Sequence, residues 1–553
     1  MKRMLFCLLL ATIWISASAI EIDGVCYAYS ESMLFTGKKD VYVVSRSDGM
    51  KYSGDIVIKD SIECQIRDER LEYVTRKLPV TIIYSNAFRD CPDLKSVTIP
   101  KTIKSIVEDA FLGTCTDINI LDLESWTGIT LGGWTIKTGQ RDKYLPAFPQ
   151  GFNLYLNGKE AKDLIIPASV KTVGEYQFYK CQNIISVDVN ATKLLSYAFS
   201  QCPNLATVNV GGNVETIHGT AFIGDSLIST VTIEEGKLRS ITGFVRCKNL
   251  KSVKLPGTLK GIGEEAFMHS GLEHIDLASI ETIDRSAFVN TALTAVEIPA
   301  SVKTIGPIAF KDCKSLTTLG FIGCYNIKVG TSAFGGCDNL SYLYTDNLDA
   351  WCGSMNFSGD SPTKVTKRLY VDGKATEHVV CPNVSRIEGN LSYCHDIRTI
   401  SFPENVEEIR PYAFYGCPNL KTIYCYATTP PVFYSSTFGE TTFRSLTVYV
   451  PRESLELYKS YYSWKDCAQI LPMEEDPTGI APISYTPSIE QQDGVIIIKN
   501  VLDGEAIRVY DTVGTLRASA QAENQTVVVD PRMRKGEIAV VRIGEQTVKI
   551  VVE

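Results

Sequence analysis

The sequence predicts a mostly-β protein: a solenoid of short strands with capping elements, followed by a small all-β sandwich domain. The first observation is a phrase, Ala-Phe-x-x-Cys-x-x-Leu-x-x-Val-x-Ile-Pro, which is complete at 87–100 and returns along most of the chain. The second is a change of pattern near residue 487, where short alternating apolar runs replace that phrase. A unit this short cannot bury its own apolar face, so successive copies must stack and share one core.

The phenylalanine of the phrase marks the repeat. Clean neighbouring copies lie about 21–24 residues apart, which is the period of leucine-rich repeats. Within one copy Leu94, Val97 and Ile99 alternate with polar residues and point inward, and Pro100 ends the strand. Each turn of the solenoid is therefore expected to hold two short strands and two corners. The marker positions are Phe88, Phe111, Phe178, Phe199, Phe222, Phe244, Phe267, Phe288, Phe310, Phe334, Phe414 and Phe438.

The chain begins with the pattern of a secretory signal peptide at 1–19. Lys2 and Arg3 precede an apolar run, and Ala17-Ser18-Ala19 resembles a cleavage site. The run is too short for a stable membrane anchor, and no later stretch is long enough to be a transmembrane segment. We therefore expect a secreted or cell-surface protein.

The repeat pattern also predicts the domain boundaries. Residues 20–82 form an N-terminal β cap, and 83–445 form the solenoid. Two inserts, at about 121–160 and 346–380, interrupt the period, and each carries a tryptophan and a hairpin signal. Residues 446–472 form a C-terminal cap, 473–486 a linker, and 487–553 the β-sandwich module.

Many of the seventeen cysteines follow the repeat rather than a disulfide framework. One slot, three residues after the phenylalanine or its equivalent, also holds Asp225, Ser270 and Thr291. These residues cannot form disulfides, so the slot favours a buried ladder in which a small side chain bonds the backbone. The pairing of the other cysteines stays open. The cysteines in the slot are Cys91, Cys181, Cys202, Cys247, Cys313, Cys337, Cys394 and Cys417.

Three features together resemble a known family. They are the Ala-Phe-x-x-Cys-x-x-Leu repeat, the Leu-Tyr-Leu-Asn-Gly-Lys hairpin at 154–159, and the Tyr-Val-Pro…Trp-Lys ending at 449–465. They resemble the BspA-like, treponemal-type leucine-rich repeat surface proteins over roughly residues 23–472. The resemblance implies a surface or secreted protein of host-associated anaerobic bacteria, some members of which bind host matrix proteins or other bacteria. More weakly, 509–514 and 547–552 resemble the C-terminal sorting domains of the type IX secretion system.

The sequence offers little for catalysis or metal binding. Gly224-Asp225-Ser226-Leu227 has the letters of a lipase motif, yet each letter fits the repeat, with Asp225 in the cysteine slot. His269 and His274 are predicted to face different sides of one turn, without a third ligand. We expect no enzyme activity, no cofactor and no metal site. A formal net charge of −8 also excludes the basic footprint of a nucleic-acid-binding protein.

Binding has better support, because stacked turns place equivalent outward residues in rows. One row is almost uniformly Ser or Thr, which favours a structural role. The neighbouring row is chemically varied, with acidic residues that would favour a basic partner and tyrosines that would act as one aromatic anchor group. The candidate ligand-binding residues are Asp188, Asn209, Lys254, Asp276, Glu297, Tyr342, Tyr344, Tyr424 and Tyr426.

These patterns lead to one main hypothesis and two alternatives. The main hypothesis is a non-enzymatic adhesion or ligand-binding protein whose partner is a host extracellular matrix protein, a glycan or another bacterial surface. The first alternative is a structural scaffold of the cell envelope, attached through the C-terminal module. The second is a carbohydrate-active enzyme with clustered carboxylates near Trp126, Trp134 or Trp351.

Overall fold

The fold consists of two compact units, Met1–Pro472 and Met473–Glu553. The predicted signal peptide up to residue 16 and the linker beyond Met473 lie outside the described residues. The computed structural model describes residues 17–30, 40–67, 72–114, 116–137, 140–324, 326–353, 355, 357, 361–371, 373–439, 443–473, 488–492, 495–499, 506–511, 515–521, 526–543 and 546–552.

The first unit is a solenoid whose longer strands form one face. Neighbours such as Ser186–Val189 and Thr207–Val210 pair in parallel and in register, one strand per turn. Buried and outward residues alternate along them, as the sequence pattern predicts. The strands of this main face are Gly54–Val57, Leu94–Ile99, Asp117–Ile120, Asn153–Leu156, Asp163–Ile166, Ser186–Val189, Thr207–Val210, Thr230–Ile233, Ser252–Val253, His274–Ile275, Ala295–Pro299, Thr318–Ile322, Tyr342–Thr345, Tyr370–Val371, His378–Val380, Thr399–Phe402, Thr422–Cys425, Thr447–Val450 and Gln469–Pro472.

A second row of mostly two-residue strands forms the opposite side of each turn. These strands also pair in parallel, for example Thr282–Ile283 with Thr304–Ile305. The row comprises Val41–Val43, Tyr73–Ile83, Ser105–Ile106, Thr130–Leu131, Thr172–Val173, Lys193–Leu194, Thr216–Ile217, Ser240–Ile241, Gly261–Ile262, Thr282–Ile283, Thr304–Ile305, Lys328–Val329, Arg386–Ile387, Glu408–Ile409 and Val432–Phe433.

The repeated phenylalanines stack along the core. From Phe178 to Phe334 successive ring centroids lie 4.8–6.0 Å apart, with interplanar angles of 6–16°. Each ring is almost completely buried. This ladder supplies apolar burial in every turn, which is what a unit too short for its own core requires.

The ladder extends beyond the positions that the repeat phrase identified. The ring of Tyr52 lies 4.9 Å from Phe88, and that of Phe148 lies 4.5 Å from Phe111. Gly54–Val57, just after Tyr52, pairs in parallel with Leu94–Ile99. The predicted N-terminal cap at 20–82 therefore already contains a solenoid turn, in which the Tyr52 ring takes the place of a phenylalanine ring in the ladder. Its remaining strands, Ala17–Ile22, Val25–Ser30 and Ser61–Arg67, pair antiparallel with their neighbours.

The cysteine slot forms a hydrogen-bonded ladder. The Sγ atoms of Cys202 and Cys313 donate to the carbonyls of Phe178 and Phe288 in the preceding turn, at 3.0 and 3.1 Å. Thr114 uses its hydroxyl in the same way, 2.6 Å from the Phe88 carbonyl. All fifteen cysteines in the described part of the chain are free thiols, and all but Cys467 are buried.

The two inserts share one construction. Each opens with a short helix, Leu123–Thr127 or Leu348–Gly353. Asp122 caps the first by accepting from the Ser125 amide at 2.8 Å, and Asn347 accepts from the Ala350 amide at 2.9 Å. Each insert ends in an antiparallel hairpin, Tyr155–Glu160 or Tyr370–Ala375. The first also contains the hairpin of Gly133–Lys137 and Gln140–Leu145.

The end of the first unit continues the solenoid rather than interrupting it. Thr447–Val450 and Gln469–Pro472 extend the main face in parallel. Between them lie a 3-10 turn, Arg452–Ser454, and the helix Leu455–Ser460, while Trp464 is buried and donates to the Pro431 carbonyl at 2.8 Å. Two further short helices of the described residues are Thr363–Thr366 and Ser435–Phe438.

The second unit has its own fold and core. Ser488–Gln492, Val495–Lys499 and Thr526–Val529 form one antiparallel sheet. Ala506–Tyr510, Leu516–Gln521, Ile538–Ile543 and Gln546–Val551 form another. Buried side chains of both sheets, including Ile498 and Val541, form one cluster, as a small β-sandwich requires.

Candidate binding face

The structure aligns the chemically varied outward residues of the main face in one row across successive strands. We call it the outer row; it contains Asp188, Asn209, Thr232, Lys254, Asp276, Glu297, Gly320, Tyr344, Ser401 and Tyr424. Strand register places Asp188, Asn209 and Thr232 side by side, and likewise Glu297, Gly320 and Tyr344. The solenoid thus aligns these residues because the repeat spacing of the sequence is regular.

The first part of the outer row is tied together by hydrogen bonds. The Asn209 amide donates to the Asp188 carboxylate, and the Thr232 hydroxyl donates to the Asn209 side-chain oxygen. Lys254 and Asp276 follow and are exposed, with the Asp276 carboxylate accepting from the Ala278 amide at 2.9 Å. This stretch therefore presents an ordered polar surface.

The row of Ser and Thr residues, two positions before the outer row on each strand, also forms hydrogen bonds between neighbouring strands. Ser96 donates to Asp55 at 2.7 Å, and Ser186 donates to Asp163 at 2.5 Å. Each of these bonds links an acid on one strand to a hydroxyl on the next. That arrangement fits the structural role expected of this row.

The most elaborate part of the outer row is built around Tyr344. Its ring crosses the neighbouring strand above Gly320, where a Cβ atom would lie only 2.4 Å from the ring carbon Cζ. The Tyr344 hydroxyl donates to the carboxylate of Glu297, two strands away. Burial and this carboxylate raise the pKa of Tyr344 to about 12. Glycine is therefore required at 320 for the ring to reach its acceptor.

Two more tyrosines complete this Tyr344 cluster, which consists of Tyr342, Tyr344, Tyr370 and Glu297. The ring centroid of Tyr342 lies 5.3 Å from that of Tyr344 and 4.7 Å from that of Tyr370. Tyr342 is 36% exposed, so the cluster presents aromatic surface to solvent. Such fixed rings with a polar tip are frequent anchors of binding sites.

The four predicted tyrosines do not form one anchor group, which corrects the sequence-based expectation. Tyr424 stacks instead on Tyr449, with centroids 5.1 Å apart and an angle of 14°. We call these two residues the Tyr424 pair; Tyr426 follows on the same chain segment, its amide bonded to the Phe402 carbonyl at 3.2 Å. Strands His378–Val380 and Thr399–Phe402 lie between the pair and the Tyr344 cluster.

Sequence reasoning missed Tyr370 and Tyr449. Tyr370 lies in the second hairpin, and Tyr449 lies in the strand assigned to the C-terminal cap. Register places Tyr370 beside Tyr344 and Tyr449 beside Tyr424. Extending the outer row through the hairpin and the cap would have found both residues.

The residues considered in the sequence for catalysis or metal binding make structural contacts instead. Asp225 is fully buried and accepts from the Cys202 amide at 2.5 Å, as the cysteine slot requires. His269 contacts the Asn290 amide at 2.9 Å. Trp126 and Trp351 are buried in the aromatic core rather than lining an open cleft. Trp134 has no described side chain.

The described residues hold neither a metal-binding cluster nor a membrane-spanning helix. No group of three His, Cys, Asp or Glu side chains within them converges as metal ligands do. None of the helices in that part of the chain combines the length and apolar character needed to cross a bilayer. A cavity of about 540 Å³ lies at the N-terminal end, between Ile20, Ile62 and Gln65, far along the chain from the outer row.

Three features together define a leucine-rich repeat protein: the repeat period, the parallel pairing of strands from successive turns, and the ladder of buried apolar residues. A family model, the BspA type leucine-rich repeat region, matches in six copies over residues 67–132, 151–244, 241–362 and 363–469. These ranges cover more than half of the chain, which therefore belongs to the BspA-type leucine-rich repeat family. No curated protein matches the chain.

Solved structures include similar repeat proteins. A leucine-rich repeat protein from Bacteroides ovatus is 19% identical, with a TM-score of 0.43, covering 82% of this chain and 100% of that chain. A leucine-rich cell surface protein from Faecalibacterium prausnitzii is 17% identical, with a TM-score of 0.34, covering 78% and 98%. The pneumococcal vaccine antigen PcpA is 15% identical, with a TM-score of 0.31, covering 83% and 99%.

Proposed function

We propose that this chain is an exported, non-enzymatic cell-surface protein that binds a protein or glycan partner through the outer row. The observation that carries the proposal is the Tyr344 cluster, in which aromatic rings are fixed on a solvent-facing sheet. A side chain fixed before binding loses little conformational entropy in the complex, so its contact area contributes more to affinity. The predicted signal peptide at 1–19 supports export.

The partner is proposed to be a host extracellular matrix protein, a mucin-type glycan or another bacterial surface. The outer row is acidic, because it contains three carboxylates, Asp188, Asp276 and Glu297, and one ammonium group, Lys254. A basic partner surface therefore fits best. Contacts along the row would add up turn by turn, with the two tyrosine clusters supplying most of the affinity.

The test is binding of the full secreted chain to immobilised matrix proteins, mucin glycans and bacterial cells. We expect one saturable partner, weakened at least tenfold by Tyr344→Ala combined with Tyr424→Ala, with an unchanged melting temperature. Tyr73→Ala, at an exposed tyrosine of the N-terminal strands, is the matched control and should bind normally. Undiminished affinity of the double variant would remove the outer row from the proposal.

We propose, as a second candidate, attachment to the cell envelope through residues 487–553. The supporting observation is that Met473–Glu553 is a separate compact unit with its own buried cluster. Deleting residues 478–553 discriminates the two roles. An envelope scaffold then leaves the cell surface, whereas a binding protein still captures its partner in solution.

A further inference from the structure

Outside the outer row, the solenoid carries two similar groups of tyrosines at its Ala-Phe corners. The first corner patch consists of Tyr176, Tyr179, Lys180 and Tyr197. The second consists of Lys367, Tyr393, Tyr412 and Tyr415. The tyrosines of each patch occupy the first two corners that follow an insert hairpin, whereas Lys367 lies just before the second hairpin. The same combination of tyrosines and one lysine therefore accompanies both inserts.

The first corner patch is a compact set of rings. Tyr176 stacks on Tyr197 with centroids 4.8 Å apart and meets Tyr179 edge-on at 5.3 Å. The Lys180 ammonium lies 5.3 Å from the centroid of Tyr179. All three rings are partly exposed.

The second corner patch repeats this composition. Tyr415 meets both Tyr393 and Tyr412 edge-on, each at 5.6 Å. The Lys367 ammonium lies 4.5 Å from the centroid of Tyr393. Tyr412 is 53% exposed, which is high for a large aromatic residue of the solenoid. Both patches thus combine three phenol rings with one ammonium.

The ammonium groups carry charge that the described part of the chain does not neutralise with an ion pair. Lys180 donates to the Pro149 carbonyl at 2.9 Å, and Lys367 donates to the Lys364 carbonyl at 2.6 Å. Within the described residues, the contacts of the two ammonium groups are these carbonyls and the rings of Tyr179 and Tyr393, and neither forms an ion pair with a carboxylate there. A cation that sits over an aromatic ring and lacks an anion is suited to bind one from a ligand.

Backbone geometry indicates that tyrosine is costly at these corners. Tyr176, Tyr197, Tyr393 and Tyr412 all have positive φ, between 56° and 64°. This left-handed conformation costs about 1–2 kcal/mol for a residue with a bulky side chain, whereas Gly and Asn adopt it readily. Asn86 fills the position of Tyr176 and Tyr412 in another turn. The same corner positions are left-handed in other turns, where they hold Glu265, Ser286 and Ile308, so the conformation belongs to the repeat and the two patches differ from the other corners by their rings.

We propose that the two corner patches together bind a linear acidic polysaccharide. Sugar rings pack their C–H edges against phenol rings, tyrosine hydroxyls bond sugar hydroxyls, and each ammonium pairs with a carboxylate or sulfate. The corner-to-corner separation along the solenoid is roughly 40 Å, from the spacing of about 4.8 Å between neighbouring strands. Two similar patches at a fixed distance suit a polymer made of repeating units. Contact with both patches at once raises the apparent affinity of such a polymer.

A folded protein fits these patches less well. A stable protein interface buries about 800 Å² on each partner, and it needs a continuous surface. Each corner patch offers three partly buried rings, and the corners between the patches carry residues such as Glu265, Ser286 and Ser332 instead of tyrosine. Carboxylates elsewhere on the chain oppose an acidic polymer only weakly, because exposed charges more than about 8 Å apart are largely screened at physiological salt.

The experiment measures binding of the full chain to long chains of hyaluronan, chondroitin sulfate and polygalacturonate, with dextran as the neutral probe. We expect at least one acidic polymer to bind at least tenfold more tightly than dextran. Tyr197→Ala should weaken that binding at least fivefold, as should Tyr412→Ala, and the double variant should abolish it. Tetrasaccharides should bind weakly, with two sites on the wild type and one on either single variant.

Controls separate this site from the outer row. Tyr344→Ala should leave polysaccharide binding unchanged, while Tyr412→Ala should leave binding of the outer-row partner unchanged. The melting temperature of every variant shows whether it is folded, and Tyr412→Asn tests the loss of the ring without adding backbone strain. Equal binding of dextran and the acidic polymers, or full binding by the double variant, would overturn the proposal. Capture of a repetitive protein through the same tyrosines, with no polysaccharide bound, would overturn it as well.

Discussion

The hydroxyl of Tyr344 bonds the carboxylate of Glu297 across an intervening strand that carries Gly320. Neither residue is a neighbour of the other in sequence, since 47 positions separate them. The contact exists because the repeat places both in the outer row and because glycine leaves the space between them empty. A side chain at 320 would therefore disrupt the cluster without touching its members.

The first prediction concerns Gly320→Ala. Its Cβ would lie 2.4 Å from the Tyr344 ring, so the ring must leave its place and its bond to Glu297. We expect binding of the outer-row partner to fall about as far as in Tyr344→Ala, measured by surface plasmon resonance. Gly219→Ala is the control, because a Cβ at 219 meets nothing within 4 Å. Equal affinities of the two glycine variants would contradict the role of the crossing ring.

The second prediction is additivity between the Tyr344 cluster and the Tyr424 pair. Two intervening strands of the main face separate them, and substitutions more than about 10 Å apart usually add within about 0.5 kcal/mol. The loss of binding free energy in Tyr344→Ala with Tyr424→Ala should therefore equal the sum of the single losses. A coupling above about 1 kcal/mol in titration calorimetry would restore the single anchor group that the sequence suggested.

The third prediction tests the cysteine slot. Cys313 donates to the Phe288 carbonyl of the preceding turn at 3.1 Å, and Thr114 makes the equivalent bond to the Phe88 carbonyl at 2.6 Å, so a hydroxyl can replace the thiol. Cys313→Ser should change the free energy of unfolding by less than about 1 kcal/mol. Cys313→Leu should cost about 1–3 kcal/mol or more, because it overpacks a full core and removes the donor. Denaturant titration with Cys467→Ser as the half-exposed control measures both.

The fourth prediction concerns the ring ladder. Phe267 stacks at 6.0 Å on Phe244 and at 5.7 Å on Phe288, and it is fully buried. Phe267→Ala should cost about 3–5 kcal/mol, the usual loss for removing a buried ring. Tyr462→Ala, at a ring that is 62% exposed, should cost less than about 1 kcal/mol. Similar unfolding midpoints of the two variants in guanidinium chloride would show that the stacked ring of Phe267 does not stabilise the solenoid.

Much of this architecture follows from the spacing of residues in the sequence. The period fixes the strands, and alternation along Leu94, Val97 and Ile99 fixes which side chains are buried. The shared slot of Cys313 and Thr291 predicts a side chain bonded to the backbone, which the structure confirms. These features depend only on local pattern and on the rule that short repeats must stack.

Other features depend on three-dimensional detail that a pattern does not contain. Tyr52 joins the ring ladder although its turn lacks the repeat phrase, and Phe148 joins from within an insert. The separation of Tyr424 from Tyr344 follows from the strands that the second hairpin and the following turn place between them. The roles of the outer-row residues in binding stay predictions.

The last prediction is a pH dependence that originates at Asp225. This carboxyl fills a slot that elsewhere holds a thiol or hydroxyl, and burial raises its pKa well above the ordinary value. In the unfolded chain it titrates near pH 4. The folded state therefore binds the proton more tightly, so this contribution to stability is complete below about pH 4 and is lost as the pH rises through the folded pKa.

Asp225→Asn removes that loss, because asparagine is uncharged and its side-chain oxygen can still accept from the Cys202 amide, as Asp225 does. Because the buried carboxylate of the wild type is disfavoured at high pH, the variant should be more stable than the wild type at pH 8. The difference should shrink steadily towards pH 4. Thermal melts across this range measure it, with Asp276→Asn, at an exposed carboxylate of the outer row, as the control. A constant difference at all pH values would mean that Asp225 does not change protonation between the folded and unfolded chain, and the stabilisation would then come from packing alone.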